Sequence, residues 1–357
     1  MTFVVAAAGT GGHVFPGLAV GEALVDRGIP RSDILFVGGN RMEAEICPAE
    51  GFPFLEVDIR GLRRSLSPSN LSLPLVVRRA SKTIAEAIES REARAVLGMG
   101  GYVTIPAGLA ARRTRVPLFV SEQNASAGLA SRVASRWAER TFGSFPETEG
   151  LPRAEWVGNP VRRAFWDFDR ERLRRCALER YGLEPGVPVV GVFGGSLGSA
   201  VINGAVDDLL ASWDGPPIQV LHISGERFSD AVSDVEDGRC RRRALAFESA
   251  MEDFYAASDL VVARAGGAVA ELTATATPSI LIPGRFGSGG HQQENARFLE
   301  RSGAAVVVEE EHLSTLPEAL AKVLTEGKLA EMAEAARSIA RPHAAHAIAD
   351  AMLEVAS

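Results

Sequence analysis

Four times in this chain an uninterrupted apolar run ends in a cluster of glycines. The runs "TFVVAAAGTGGH", "ARAVLGMGGY", "VPVVGVFGGSLG" and "DLVVARAGG" place glycine loops at residues 9–13, 98–102, 194–198 and 264–267. A strand that is apolar at successive positions is buried on both faces, as in a parallel sheet covered by helices. Glycines after such a strand let the backbone approach a ligand at its carboxyl end, where open α/β sheets bind ligands. The helix that follows offers unpaired N–H groups to an anion. One such loop can be a simple turn. Four in one register constrain the chain to an α/β fold of doubly wound parallel sheets with ligand-binding edges.

The alternation continues between these loops. "DILFVGG", "VPLFVSEQN", "IQVLHISG", "PSILIPG" and "AAVVVEE" read as further strands, with helices near residues 16–28 and in "TIPAGLAARR". The series falls into two halves, and 357 residues suit two domains of about 150 residues each. The boundary is expected in "EWVGNPVRRAFWDFD", giving residues 1–160 and 161–341. A last helix after Pro342 (342–357) is expected to pack back on the first domain.

Composition narrows the function. With 46% hydrophobic and 23% charged residues this is an ordinary globular chain, and a net charge of −7 argues against nucleic acid as a partner. Cys47, Cys176 and Cys240 are too scattered for a disulfide framework or a zinc site, which implies a reducing compartment. The first apolar run breaks at Gly9 without a charged leader and reads as a strand rather than a signal peptide. No apolar run approaches the roughly 20 residues of a spanning helix. The expected location is the cytoplasm, or the cytoplasmic face of a membrane.

Familiar nucleotide motifs do not fit. A dinucleotide fingerprint requires a glycine at the sixth position counted from Gly9, which is Val14. No Lys-Ser or Lys-Thr closes any of the four loops. "DFD" at 167–169 resembles a metal-holding Asp-x-Asp, but it lies among charged residues and reads as a solvated turn. His343 and His346 are read as an exposed helix face rather than as metal ligands. His13 closes the first glycine loop, where a phosphate cradle needs no histidine. Imidazole titrates near neutrality and can act as a general base, or it can bond a backbone group or cap a helix; the residues alone leave both open.

A further asymmetry lies between Asp58 and Glu86, where no acidic residue occurs. Arg60, Arg63, Arg64, Arg78, Arg79 and Lys82 flank the apolar group Leu71, Leu73, Leu75, Val76 and Val77. Apolar contact framed by cations is the pattern of peripheral attachment to an anionic membrane, and also that of a core helix with basic ends.

The motifs "GTGGHVFPGLAV", "GMGGYVTIPAGLAA", "SEQNASAGL", "VGNPVR", "GGSLGSAVIN" and "HQQENARFL" occur in the order seen in the MurG family, and the resemblance spans nearly the whole chain. It implies a GT-B architecture of two Rossmann-like domains facing across a cleft, the acceptor held mainly by the first and the donor by the second. It implies an inverting, metal-independent N-acetylglucosaminyltransferase without cofactor, a peripheral enzyme on the cytoplasmic side of the cell membrane. N-acetylglucosamine would pass from its UDP donor to undecaprenyl-linked muramyl-pentapeptide (lipid I), the membrane being a further partner. By the same resemblance His13 is the base candidate, and Thr10, Gly11 and Gly12 approach the donor. Asn124, Arg162, Ser196, Gln292 and the run Gly267, Ala268, Val269, Ala270 would contact the donor as well. Glu271 would accept both ribose hydroxyls, and Phe247 and Glu248 would offer backbone atoms to the uracil. Gly100, Gly101 and Tyr102 would form the acceptor loop. The interval from Arg264 to Glu271 is one residue shorter than is usual in the family, and Ala265 stands where some members have serine. Other readings are another UDP-sugar enzyme of the same fold, such as an epimerase, and a nucleotide-sugar-binding regulator without turnover.

Overall fold

In a computed structural model of the chain, the described residues are 1–59, 73–195, 198–284 and 290–356. They form two compact units, Met1–Arg163 with Pro342–Ser357, and Ala164–Arg341.

The first unit is built on β1 (Thr2–Ala6), β2 (Ile34–Gly38), β3 (Phe54–Glu56), β4 (Ala93–Gly98), β5 (Leu118–Glu122), β6 (Arg140–Gly143) and β7 (Glu155–Trp156). All are parallel, in the order β3-β2-β1-β4-β5-β6-β7. Helices α1 (Gly11–Asp26), α2 (Met42–Ala49), α3 (Leu73–Ser90), α4 (Thr104–Thr114) and α5 (Leu129–Ala134) connect them. Phe3, Val4 and Val5 of β1 are fully buried because both faces of the sheet are covered. Each such side chain contributes about 1.5–3 kcal/mol of transfer free energy. The strand order reverses between β1 and β4, so the loops after these strands diverge and leave a crevice at the carboxyl edge.

The second unit repeats the plan. Its strands are β8 (Val189–Phe193), β9 (Ile218–Ile223), β10 (Val235–Asp237), β11 (Cys240–Leu245), β12 (Leu260–Ala263), β13 (Ser279–Leu281) and β14 (Ala305–Val307). Their order is β10-β11-β9-β8-β12-β13-β14, parallel except for β10 at the edge, and the switch point falls between β8 and β12. Helices α6 (Arg170–Tyr181), α7 (Ala200–Ser212), α8 (Met251–Ala257), α9 (Ala268–Ala274), α10 (His291–Arg301), α11 (Leu316–Val323) and α12 (Glu326–Ile339) complete it. Arg170 fastens α6 to the ends of two other helices. Its guanidinium donates to the carbonyls of Tyr255 (2.6 Å), Ser258 (2.5 Å) and Thr275 (3.3 Å), at and just beyond the C-termini of α8 and α9. A cation there satisfies terminal carbonyls and complements the negative helix ends. Burial pulls its pKa down to about 10, which leaves it charged at neutral pH.

The chain ends in α13 (Ala344–Ala356), which packs on α1 in the first unit. Arg27 makes a bidentate pair with Asp350, both bonds 2.8 Å.

Three details differ from the sequence reading, and both aspartates of the "DFD" turn are exposed as expected. Helix α1 starts at Gly11, not near residue 16, because Thr10 is extended (φ −134°, ψ 158°) and its carbonyl already accepts from the N–H of His13 and Val14. Pro16 therefore lies inside the helix, and His13 in its first turn. The units divide after Arg163 rather than after residue 160, since Arg163 pairs with Asp26 at 2.7 Å and Arg162 stacks on Phe15. His346 is not on an open face: its Nε2 lies 3.6 Å from Asp26 Oδ2, with the side chain 17% exposed. The "DFD" turn has a local task, Asp169 capping α6 by accepting from the Arg172 N–H at 3.1 Å.

Candidate functional site

Helix α1 brings the His13 ring to the first switch point, where the loops after β4 and β5 receive it. The ring lies beside Gly100 and Gly101, which leave it room: a Cβ on the former would sit 3.3 Å from His13 Cε1, and on the latter 3.2 Å from Cδ2. Both glycines have positive φ (+76° and +68°), so a side chain there would be strained as well as obstructed. Thr104 fixes this turn from beneath, its hydroxyl donating to the Gly100 carbonyl at 2.6 Å. On the ring's edge, Nδ1 meets Gln123 Oε1 at 2.9 Å. Tyr102, next in the loop, is exposed.

The segment after β5 is organised by a carboxylate. Glu122, 2% exposed, accepts from the Asn124 N–H (3.1 Å), the Asn124 side-chain amide (3.0 Å) and the Gly128 N–H (3.2 Å). Asn124 is thereby held in a fixed orientation. Thr10, Gly11 and Gly12 occupy the start of α1, where no side chain caps the helix. Arg162 lies in this unit, its guanidinium 6.0 Å from the Phe15 ring centre.

At the second switch point the loops after β8 and β12 meet through charge. Arg264 donates to the Ile282 carbonyl and to Ser199 Oγ, both at 3.0 Å, and pairs with Glu310 at 2.6 Å. Ser199 is also the cap of α7, accepting from Ile202 N–H. Gly198 (φ +73°) presses on the Ser224 carbonyl, where any Cβ would collide. Asn203 holds that carbonyl from the other side at 3.1 Å, and its Oδ1 receives His222 Nε2 at 3.0 Å. His222 is fully enclosed, and burial lowers its pKa to about 4. It stays neutral and serves the loop rather than the chemistry. Ser196, the hydroxyl the sequence singles out here, lies outside the described residues.

Glu271 stands in the first turns of α9, with Oε2 accepting the Tyr255 hydroxyl at 2.9 Å. Of the run before it, Gly267 is exposed and Ala268 and Ala270 are partly so. Val269 is turned into the core, so it can meet a ligand through its main chain alone. Gln292, near the start of α10, accepts the Gly284 N–H at 2.7 Å. The Glu248 carboxylate is committed to Arg180 (3.0 Å), the Tyr181 hydroxyl (2.8 Å) and the Ala250 N–H (2.8 Å), while Phe247 beside it is exposed.

On α3, Ala80, Ser81, Ile84, Ala85 and Ile88 face the core. Leu75 stands on the opposite side, 58% exposed, with Arg78 and Arg79 one turn further on along that same face. Leu73 and Val76 are half-buried and belong to the flanks. Arg60, Arg63, Arg64 and Leu71 lie outside the described residues. No helix among the described residues is long and apolar enough to cross a membrane.

The sequence reading passed over Gln123, Glu122 and Tyr255. Gln123 and Glu122 carried one available signal: they flank one another at the carboxyl end of β5, inside the quoted "SEQN".

Residues 3–143 match the glycosyltransferase family 28 N-terminal domain, and residues 189–352 its C-terminal domain. The UDP-N-acetylglucosamine–N-acetylmuramyl-(pentapeptide) pyrophosphoryl-undecaprenol N-acetylglucosamine transferase of Halorhodospira halophila is 39% identical, covering 99% of this chain and 98% of the relative. That of Salinibacter ruber is also 39% identical, over 98% and 95%. The crystal structure of Acinetobacter baumannii MurG superposes with a TM-score of 0.82 at 27% identity, over 99% of this chain and 100% of that one. A Neisseria meningitidis UDP-GlcNAc 2-epimerase shares the fold (TM-score 0.67) at 12% identity, over 99% and 100%.

Proposed function

Because this chain belongs to the MurG family of glycosyltransferase family 28, we propose how its residues divide the work of the transfer it catalyses. N-acetylglucosamine moves from UDP-N-acetylglucosamine to the 4-hydroxyl of the muramyl sugar of lipid I, giving lipid II of peptidoglycan synthesis. In the proposed inverting step the 4-hydroxyl oxygen attacks the anomeric carbon, the bond from that carbon to the UDP oxygen breaks, and His13 accepts the hydroxyl proton. The observation that carries this assignment is the seating of the ring on Gly100 and Gly101. It fixes an imidazole at the carboxyl edge of the sheet, where ligands of this fold class bind.

The second unit takes the leaving group. Gly198 and the start of α7 offer backbone N–H groups and a positive helix end to the diphosphate; the family resemblance adds Ser196 as a hydroxyl donor and, from the first unit, Arg162 as a cation. Glu271, aligned by Tyr255, accepts the ribose hydroxyls. Gln292 and Asn124 meet the sugar, Gly267 to Ala270 and the segment at Phe247 and Glu248 lend main-chain groups, and Thr10, Gly11 and Gly12 leave room for the donor. Tyr102, with Gly100 and Gly101, borders the acceptor.

The exposed Leu75 with Arg78 and Arg79 supports peripheral attachment to an anionic membrane, where the lipid-linked acceptor resides. Radiolabelled UDP-N-acetylglucosamine and a lipid I analogue test the transfer: label should pass to lipid, and UDP binding without transfer would refute the enzymatic reading. For the membrane, Arg78→Glu with Arg79→Glu should cut binding to phosphatidylglycerol-containing vesicles at least about tenfold. Unchanged binding would remove α3 from the contact.

A further inference from the structure

We propose that Gln123 is the positioning residue of the transfer: it selects the His13 tautomer that carries hydrogen on Nδ1, leaving the Nε2 lone pair to receive the acceptor's proton. The inference rests on the reading of His13 as the base and adds a residue to it.

The Gln123 side-chain nitrogen donates to the Ser121 main-chain carbonyl at 2.9 Å, and that carbonyl can only accept. The amide is therefore locked with Oε1 toward the histidine, 2.9 Å from Nδ1. An amide oxygen has no hydrogen to give, so the contact is a bond only when Nδ1 carries the proton. A neutral imidazole with Nδ1–H has its lone pair on Nε2, on the far side of the ring. A ring flip would put Cδ2, which offers no such bond, in the place of Nδ1 opposite the Gln123 oxygen, so this contact also favours the observed ring orientation. Gln123 is itself 6% exposed, so water does not compete freely for its oxygen. Its neutrality matters as much as its geometry. A carboxylate at this place would hold the same proton but would also favour the imidazolium, which cannot accept another.

Two titratable groups adjoin these partners in the chain. Tyr102 follows Gly101 and is exposed; Glu122 precedes Gln123 and directs its oxygens to Asn124 and Gly128. Neither stands between Gln123 and the imidazole, so a charge placed at 123 acts on His13 directly.

The test uses the full chain labelled with ¹⁵N-histidine, with the His13 signals assigned by difference from His13→Gln. Wild type should show a protonated Nδ1 and a bare Nε2. In Gln123→Leu the Nε2–H tautomer should gain population, kcat should fall at least about tenfold, and KM for UDP-N-acetylglucosamine should stay within about twofold; that retained affinity also shows that the variant is folded. In Gln123→Glu the acid limb of the kcat profile should move up by about one pH unit or more, with turnover recovering above that limb as it never does in Gln123→Leu. An Nε2–H tautomer in wild type, or a tautomer unmoved in Gln123→Leu, overturns the assignment of Gln123 alone. A tautomer that shifts while kcat holds overturns His13 as the base, and with it any part for Gln123 in the reaction.

Discussion

At the carboxyl end of the first sheet a histidine ring rests on two glycines and one amide, whereas at the same end of the second sheet a guanidinium ties three loops to a carboxylate. Both places are points at which the strand order of a doubly wound sheet reverses, so topology does not explain the contrast. The chemistry proposed for each does. A base must keep a lone pair near neutral pH, and uncharged anchors orient it without biasing its protonation. A site for a nucleoside diphosphate must hold several main-chain donors in one arrangement against a strong charge, and buried ionic ties give that rigidity. One topology has thus been fastened in two ways, each matched to the charge of what it meets.

The contrast can be broken at its strongest tie. Arg264→Met should destabilise the second unit by about 3–5 kcal/mol, because Glu310 is left as an uncompensated, largely buried carboxylate; denaturant unfolding should show this, and a loss under about 1 kcal/mol would mean the network is incidental. The next effect concerns acid. His222 titrates at about 4 in the fold against 6.5 when exposed, so the unfolded chain binds more protons between these values. The stability this group contributes is full above pH 6.5 and is lost as pH falls toward 4, on the order of 3 kcal/mol. His222→Gln keeps a donor for Asn203 and should flatten that slope in thermal scans between these limits; an unchanged slope would assign the acid sensitivity elsewhere. Tyr255→Phe removes one hydrogen bond to Glu271 and should weaken UDP affinity about fivefold to tenfold by calorimetry, while unaltered affinity would free Glu271 from that support. Gln123→Leu removes two neutral hydrogen bonds of about 0.5–1.5 kcal/mol each and should shift unfolding by no more than about 3 kcal/mol. A loss as large as that of Arg264→Met would erase the contrast.

Much of this frame is legible in the amino-acid order, for a physical reason. The strands β1, β4, β8 and β12 are largely apolar and are followed closely by glycines, so burial and loop flexibility are written in neighbouring residues. The strand β11 is not legible, because Arg242 occupies an inward position and is neutralised by Asp207, far away in sequence; alternation then reads as a charged loop. The start of α1 is misjudged because Pro16 resembles a first-turn proline, while Thr10, which ends the extended chain, carries no local mark. His13 is conspicuous as the odd residue of a glycine loop, but its partner Gln123 lies 110 positions away. Tyr255 meets Glu271 across 16 residues, and that meeting depends on how α8 and α9 sit. Local conformation is readable from the chain, whereas the partners that tune functional side chains are fixed only by the fold.

The central claim is that His13 acts on the reacting hydroxyl and not on donor binding. It is tested most directly by measuring UDP-N-acetylglucosamine affinity and single-turnover transfer to a lipid I analogue on the same preparation of His13→Ala. The account predicts donor affinity within about twofold of wild type and a transfer rate lower by about 10²–10⁴-fold. Transfer within about threefold of wild type would contradict it.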